Sequence, residues 1–327
     1  KNTFGSSVSL TLFGESHGEQ IGAVLDGIAP GIEVNEDFIK KQLSLRRPAG
    51  KISTARQEQD NFKIVSGIMD GKTSGTPLTI LIENSDTKSK DYSMLQEIAR
   101  PSHADFTAQE KYHGFQDYRG GGHFSGRITA PIVAAGAILT DALKAKGIYI
   151  GTHIKSCKDI KDRDFGDIKN DINYLNNTEF AVLDKEKESV MKELILSAKT
   201  NGDSVGGVLE TAVIGLPAGI GEPWFDTLEG IISHALFSIP AVKGVEFGAG
   251  FDICRKFGSE ANDEFYADEG KVLTYTNNSG GINGGISNGM PILFQVCIKP
   301  TPSIAAIQHT LNIRTGQEQP LQIPGRH

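Results

Sequence analysis

Clustered glycine is the feature that most restricts how this chain can fold. Glycine accounts for 38 of its 327 residues, about 12% against an average near 7%. The clusters have no period, which excludes a collagen-like chain. Because glycine destabilises the interior of helices and strands, clusters beside apolar stretches predict turns, bulges or close approach of the backbone to a ligand. They stand at 120–122, 206–207, 280–281 and 284–285.

The hydrophobic pattern predicts helices separated by hairpin-like strands. Strands are expected at 8–14, 21–28, 78–83, 207–215 and 291–299, and helices after Asn35, from Pro131 to Lys146, from Asp184 to Lys199, and after a capping box of Asp226 and Glu229. This order, without strict alternation of strand and helix, predicts an α+β fold with antiparallel sheet. With no Pro/Ser-rich linker, residues 1–327 are expected to form a single domain, with Lys155–Lys187 as an insertion or mobile loop.

Charge and composition exclude several classes of function. The net charge is −7 and the pI is about 5.7, whereas nucleic-acid-binding proteins usually carry a basic excess. No apolar run approaches the roughly 20 residues of a membrane span, and the N-terminal residues lack the pattern of a signal peptide. Cys157, Cys254 and Cys297 have neither a disulfide pattern nor a metal-ligand spacing. We therefore expect reduced, half-buried thiols in a cytoplasmic protein that binds no metal, membrane or nucleic acid.

Four segments concentrate Arg, His, Ser and Gly in this acidic chain. Taken alone, each segment is typical of a solvated loop. Guanidinium groups, however, also bind carboxylates and phosphates well. Glycine-rich backbone before a helix can likewise bind an anion. Together they predict a positively charged site for a small polyanion. The segments are the turn 14–18 with Ser16 and His17, the loop 45–51 with Arg46 and Arg47, residues 100–127 with three of the eight histidines, and the C-terminal group at 280–285, 299–303, 314–316 and 325–327.

Five of these motifs resemble those of the chorismate synthases. They are F-G-E-S-H-G at 13–18, R-R-P at 46–48, R-P-S-H-A-D at 100–105, Y-R-G-G-G at 118–122 and G-R-H at 325–327, in that family's order and approximate spacing. The resemblance implies a lyase that converts 5-enolpyruvylshikimate 3-phosphate to chorismate and phosphate, the last common step of the shikimate pathway to the aromatic amino acids. It also implies reduced FMN, which is not consumed overall. The expected assembly is a homotetramer of β-α-β sandwich subunits, with antiparallel sheets packed around central helices.

The resemblance also implies roles for individual residues. His17 would supply or share a proton, and His103 would stabilise the reduced flavin. Ser16, Arg46, Arg47 and Arg127 would bind substrate or, in members that reduce their own flavin, NADPH; other members would need a separate flavin reductase. The implied cofactor contacts are His123, Phe124, Ser125, Pro240, Ala241, Gly284, Lys299, Pro300, Thr301, Pro302, Ser303 and Arg326.

The chain departs from the family pattern in three places. His123-Phe124-Ser125-Gly126 stands where the family often has Arg-Ser-Ser-Ala, and a second arginine after the Arg-Arg-Pro motif is replaced by Lys51 or shifted. The family continues past the position of His327 with an Asp-Pro pair, so we expect its C-terminal segment to be absent from this sequence.

Two other hypotheses about function compete with that of a lyase. A flavin reductase-like oxidoreductase would use the same site and consume nicotinamide without a shikimate substrate. An anion-sensing or nucleic-acid-binding module is disfavoured by the negative net charge and by the lack of basic-aromatic stripes.

Overall fold

The computed structural model describes residues 1–47, 50, 52–53, 60–85 and 97–323. Its strands are β1 (Thr3–Gly5), β2 (Ser9–Gly14), β3 (Gln20–Asp26), β4 (Phe62–Ser66), β5 (Ile68–Met69), β6 (Lys72–Thr73), β7 (Leu78–Glu83), β8 (Tyr149–Cys157), β9 (Ile160–Lys161), β10 (Gly207–Ile214), β11 (Val242–Phe247), β12 (Phe265–Asp268), β13 (Lys271–Thr274), β14 (Ile282–Asn283), β15 (Ile286–Ser287), β16 (Ile292–Ile298), β17 (Gln308–Leu311) and β18 (Glu318–Leu321). Its helices are α1 (Glu36–Leu45), α2 (Asp105–Tyr112), α3 (Thr129–Lys144), α4 (Ile168–Leu175), α5 (Lys185–Thr200), α6 (Leu228–Leu236) and α7 (Gly258–Ala261).

The chain divides into two compact units. The first comprises Lys1–Ala142, Ile195–Ser204 and Thr301–His327, and the second comprises Leu143–Leu194 and Val205–Pro300. Each unit contains a five-stranded sheet whose neighbouring strands are all antiparallel. The α+β class with antiparallel sheets is therefore confirmed. The single domain expected over residues 1–327 stays a prediction.

The sheet of the first unit has the strand order β1-β2-β3-β7-β4. Strands β2 and β3 form the predicted hairpin, with Phe13 opposite Gly22. Alternate residues of β3 and β7 are buried, as period-2 strands with one covered face require. They pack against Ile39 and Leu43 of α1 and the apolar side of α3. Helix α1 begins where predicted, because the Asn35 side-chain oxygen accepts a hydrogen bond from the backbone N–H of Phe38.

Helix α3 is the core helix of the first unit. Together with the turn before it, from Gly126 to Lys144, it is long and apolar enough to cross a membrane by length and composition, with a mean hydropathy of 1.2. A core helix of a globular protein meets the same criterion. Here Ala130, Ala134, Ala135 and Ile138 are buried against the sheet, so the apolar side of the helix has a partner within its own unit.

The sheet of the second unit has the order β11-β16-β10-β8-β9, and Ile232 and Leu236 of α6 pack on it. The capping box predicted at Asp226 and Glu229 is wrong. Asp226 ends a short 3-10 turn, and extended Thr227 caps α6 instead, its hydroxyl accepting from the N–H of Gly230.

The polar segment expected to be an insertion or mobile loop contains β9 and α4 instead. Ile172 of α4 is buried, and Gly151 of β8 lies so close to it that a Cβ there would be 2.7 Å from its Cγ1. The three cysteines are unpaired, as expected, although Cys157 is buried and Cys254 and Cys297 are exposed. Burial raises the pKa of the Cys157 thiol.

Candidate active site

The turn between β2 and β3 places Ser16 and His17 inside the first unit. The turn is closed by a hydrogen bond of 3.0 Å from the N–H of Gly18 to the carbonyl of Glu15. Ser16 is completely buried and His17 is 8% exposed. Two of the predicted site residues are thus largely withdrawn from bulk water.

The Ser16 hydroxyl links His17 to the segment that carries the triple glycine. The hydroxyl lies 3.2 Å from the carbonyl oxygen of Arg119 and 3.3 Å from that of Gly120, and both can only accept. The same hydroxyl lies 3.0 Å from His17 Nδ1. Because a hydroxyl can both donate and accept, it can hydrogen-bond Nδ1 in either protonation state of that nitrogen.

The triple glycine packs directly against the imidazole. Gly120, Gly121 and Gly122 all have positive φ, at 58°, 87° and 53°. A Cβ on Gly120 would lie 2.1 Å from His17 Cε1, and one on Gly122 would lie 2.0 Å from the carbonyl oxygen of Asp117. The cluster forms a turn with positive φ, one of the predicted alternatives, and the group that its backbone approaches is a side chain of this protein.

The residues after the triple glycine lead into α3. His123 Nδ1 donates to the carbonyl of Gly14 at 2.7 Å, which ties the loop to the end of β2. The Ser125 hydroxyl accepts from the N–H of Arg127 at 3.3 Å and caps the first turn. Phe124 is exposed beside Tyr112. Three predicted cofactor contacts thus lie in one segment joined to the His17 turn.

Arg46 and Arg127 share one buried carboxylate, that of Asp60. Arg46 donates to Asp60 Oδ2 at 2.7 Å, and Arg127 donates to Asp60 Oδ1. The side chains of Asp60 and Arg127 are 1% and 2% exposed, whereas that of Arg46 is 21% exposed. Two guanidinium groups against one carboxylate leave a net positive charge in a poorly solvated place, which suits an anionic substrate. Sequence analysis missed Asp60, which carries no local motif.

Asn84 joins this cluster to the His17 turn and was also missed. Its side chain contacts Arg127 and two carbonyls of the turn. The other arginine of the predicted pair, Arg47, is exposed. Sequence could indicate neither Asp60 nor Asn84, because their partners lie 14 to 69 residues away.

His103 lies on a loop held by an arginine–aspartate pair. Arg100 donates to Asp105 through its backbone N–H, Nε and a terminal nitrogen, at 2.9, 2.8 and 2.7 Å. His103 Nδ1 donates to the carbonyl of Pro101 at 3.0 Å. The orientation of the ring is thus fixed through Nδ1.

Arg119 forms a second local pair with Asp117. Its guanidinium donates to Asp117 at 2.9 and 2.7 Å. The hydrogen bond from Arg119 lowers the pKa of Asp117 and outweighs the opposing effect of burial. This carboxylate therefore stays ionised at the base of the glycine loop.

Comparison with known proteins identifies the family. The family model described as chorismate synthase matches residues 8–327. The chain is 46% identical over 329 residues to the chorismate synthase of Methanobrevibacter smithii, covering 100% of this chain and 89% of that one. It is 44% identical over 322 residues to the enzyme of Pyrococcus abyssi, covering 98% and 89%. The chain belongs to the chorismate synthase family.

A solved structure supports the same assignment. A crystal structure of a chorismate synthase superposes with a TM-score of 0.72 at 32% identity, covering 90% of this chain and 84% of that one. The family model, the relatives and this structure confirm the resemblance drawn from the five motifs. Chorismate synthases are carbon–oxygen lyases of aromatic biosynthesis.

The other residues predicted to contact the flavin lie in separate places along the chain. In the second unit, Ala241 has a φ of +73°, and its carbonyl accepts from the N–H of Lys299 at 2.9 Å. Pro240 and Pro300 are exposed, and a Cβ on Gly284 would meet nothing within 4 Å. In the first unit, the Thr301 carbonyl accepts from Ser204, while Pro302 and Ser303 are partly buried. Arg326 lies outside the described residues.

Proposed function

We propose that this chain catalyses the chorismate synthase reaction at the site built around His17, Arg46 and Arg127. In that reaction, 5-enolpyruvylshikimate 3-phosphate loses its phosphate and one ring proton. One C–O bond and one C–H bond break and one C=C bond forms, so no net oxidation occurs. The observation that carries the proposal is the buried Ser16–His17 turn joined to two arginines that share a single carboxylate.

The substrate is anionic, and the chain's cations suit it. Arg46, Arg47 and Arg127, with Ser16, are proposed to bind its carboxylates and phosphate. Arg46 is the partly exposed member of the Asp60 cluster, so its guanidinium fork is the one best placed to meet a ligand from solvent. Arg46 would also face NADPH if this protein reduces its own flavin; otherwise a separate flavin reductase supplies the reduced cofactor.

The two histidines differ in what they would do. His17, whose Nδ1 is hydrogen-bonded to the Ser16 hydroxyl, is proposed to supply or share a proton. His103, whose ring is oriented by a hydrogen bond from Nδ1 to the carbonyl of Pro101, is proposed to stabilise the reduced flavin. A positioned imidazole contributes about 10²–10⁴-fold when it transfers a proton in the transition state.

Reduced FMN is the proposed cofactor, with the contacts that the family resemblance implies. These are His123, Phe124, Ser125, Thr301, Pro302 and Ser303 in the first unit and, as a separate set, Pro240, Ala241, Gly284, Lys299 and Pro300 in the second. The Ser and Thr hydroxyls of the first set and the Lys299 ammonium of the second are groups that suit a phosphate. When bound, reduced FMN supplies electron density to the substrate as the phosphate leaves.

We further propose a homotetramer in the cytoplasm. Large apolar side chains of the second unit are exposed in the single chain, namely Trp224, Phe225, Phe251, Phe257 and Phe265, from 68% to 97%. Exposed aromatic groups of this extent are typical of a surface covered by another subunit. The three unpaired cysteines suit a reducing compartment.

The experiment is anaerobic release of phosphate from 5-enolpyruvylshikimate 3-phosphate by the full-length protein, with reduced or with oxidised FMN. We expect release only with reduced FMN, without stoichiometric oxidation of the flavin. Steady consumption of NADPH without substrate, and no phosphate release, would instead support the flavin reductase-like oxidoreductase.

A further inference from the structure

Asn84, directly after β7, bridges both ends of the turn that carries Ser16 and His17. Its Nδ2 donates to the carbonyl of Glu15 at 3.0 Å and to that of Gly18 at 2.8 Å. Its Oδ1 accepts from Arg127 Nε at 3.0 Å. Carbonyls can only accept and a guanidinium can only donate, so this is the one amide orientation that satisfies all three contacts.

The other contacts of Arg127 make it a rigid support for Asn84. The guanidinium is buried, donates to the carbonyl of Glu83 at 3.0 Å, and pairs with Asp60. Moving it would break several charge-assisted hydrogen bonds in a poorly solvated place. Asn84 therefore ties the turn to a group that two other partners hold in place.

We propose that Asn84 is a positioning residue for His17. It holds the two ends of the Glu15–Gly18 turn at a fixed separation, so that the imidazole stays against Gly120 and in register with Arg127. The inference rests on the proposed function of His17. It adds a residue whose side chain contacts the backbone of the turn and Arg127, and whose effect on proton transfer comes through the imidazole.

The test begins with Asn84→Asp, which keeps the oxygen that faces Arg127. The second oxygen replaces the donor that faces the Glu15 and Gly18 carbonyls, so the bridge across the turn is lost. A misplacement of about 1 Å can cost about 100-fold, and we expect kcat to fall by about that factor. We expect KM to rise as well, because the new carboxylate cancels the net positive charge of the Arg46–Asp60–Arg127 cluster, so the positioning effect is measured by kcat at saturating substrate.

The matched control is Asn176→Asp in the second unit. Asn176 Nδ2 donates to the carbonyl of Ile150 at 3.0 Å, so the substitution removes the same kind of hydrogen bond away from His17. We expect kcat of this control to equal that of the parent. Thermal unfolding of both variants shows whether each is folded at the assay temperature.

A double-mutant cycle separates positioning from a general structural role. In a His17→Ala background, Asn84→Asp is expected to change kcat by less than about twofold, because the group through which it acts is gone. An equal loss in both backgrounds would overturn the proposal. So would full activity of a folded Asn84→Asp variant.

A spectroscopic readout works without turnover. Protein labelled with ¹³C at histidine Cε1 gives a His17 signal that is identified by its absence in His17→Ala. We expect Asn84→Asp to shift or broaden this signal and to leave that of His153 unchanged, whereas an unmoved His17 signal overturns the proposal. If the parent protein releases no phosphate, the proposed function fails, and this spectrum still decides whether Asn84 positions His17.

Discussion

His17 and His153 are both buried histidines, but their surroundings differ in charge. His17, in the first unit, contacts a serine hydroxyl and the backbone of Gly120. His153, in the second unit, is completely buried on β8, with Nδ1 2.7 Å from Asp162 and Nε2 2.9 Å from Glu210. Ionised carboxylates can only accept hydrogen bonds, so His153 lies between two anionic groups, whereas His17 lies beside a neutral hydroxyl.

The carboxylates around His153 remain ionised despite their burial. Burial opposes the ionisation of Asp162, but hydrogen bonds from the N–H groups of Leu183 and Asp184 and from His153 outweigh it and lower its pKa. Burial is likewise outweighed at Glu210, where His153 and Lys155 lower the pKa. Two ionised carboxylates thus hold the imidazole of His153 in place. A catalytic imidazole has to change its charge during turnover, and the hydroxyl beside His17 leaves it that freedom.

The largest expected effect comes from Gly120→Ala, which moves the His17 ring without changing its chemistry. The new Cβ would stand 2.1 Å from His17 Cε1, so the imidazole has to leave its position. We expect kcat for phosphate release to fall by about 10²–10⁴-fold, the usual contribution of a proton-transferring residue.

Gly121→Ala is the matched control for this prediction. Gly121 also has a positive φ, 87°, but a Cβ at this position would lie 3.8 Å from the nearest atom, Ser125 Cβ. Both variants therefore carry backbone strain, and only one carries the collision with the ring. Equal losses of kcat in the two variants would show that strain alone accounts for the effect.

The next largest effect is a loss of stability in His153→Leu. Removing a hydrogen-bond partner of a buried polar group typically costs about 1–3 kcal/mol, and more for a charged group; here Asp162 and Glu210 each lose their bond to the imidazole. We expect a decrease of about that size in the free energy of unfolding, measured by circular dichroism in urea. The kcat of the folded variant should stay within about twofold of the parent, since His153 has no part in the proposed reaction.

His309→Leu provides the exposed counterpart. His309 Nε2 lies 3.1 Å from Glu318, but both side chains are more than 70% exposed. Exposed ion pairs contribute little, so no measurable change in stability is expected. A large decrease in the free energy of unfolding of His309→Leu, or no decrease in that of His153→Leu, would contradict the difference expected between a buried and an exposed histidine.

The smallest effect is the pH dependence of that stability. Since the pKa values of Asp162 and Glu210 are lowered in the folded protein, their stabilisation is present above the unfolded values of about 3.9 and 4.3. It is lost as the pH falls through the lowered values. We expect the urea midpoint of the parent to decrease between about pH 5 and pH 3, and that of His153→Leu to decrease less. Parallel curves would contradict the assignment of the acid sensitivity to this cluster.

Local patterns in the sequence predicted the parts of the molecule that depend on neighbouring residues. The β2–β3 hairpin, the Asn35 cap and the Ser16–His17 turn all arise within a few residues, where period and turn chemistry act. Asp60, Asn84 and His153 stand in no motif, and their roles come from partners distant in the chain. The cap of α6 was misplaced by one residue, because Asp226 and Thr227 both have side chains that can cap a helix.

The burial of Arg127 has a consequence for the order in which the protein assembles. Its counter-charge, Asp60, is 67 residues earlier in the chain, and Asn84 and Glu83 are 43 and 44 residues earlier. Closing such loops costs entropy before any contact is made. A guanidinium entering the interior before β7 has paired would be an unneutralised charge. We therefore expect the site to form late in folding, as a whole, after the sheet is in register.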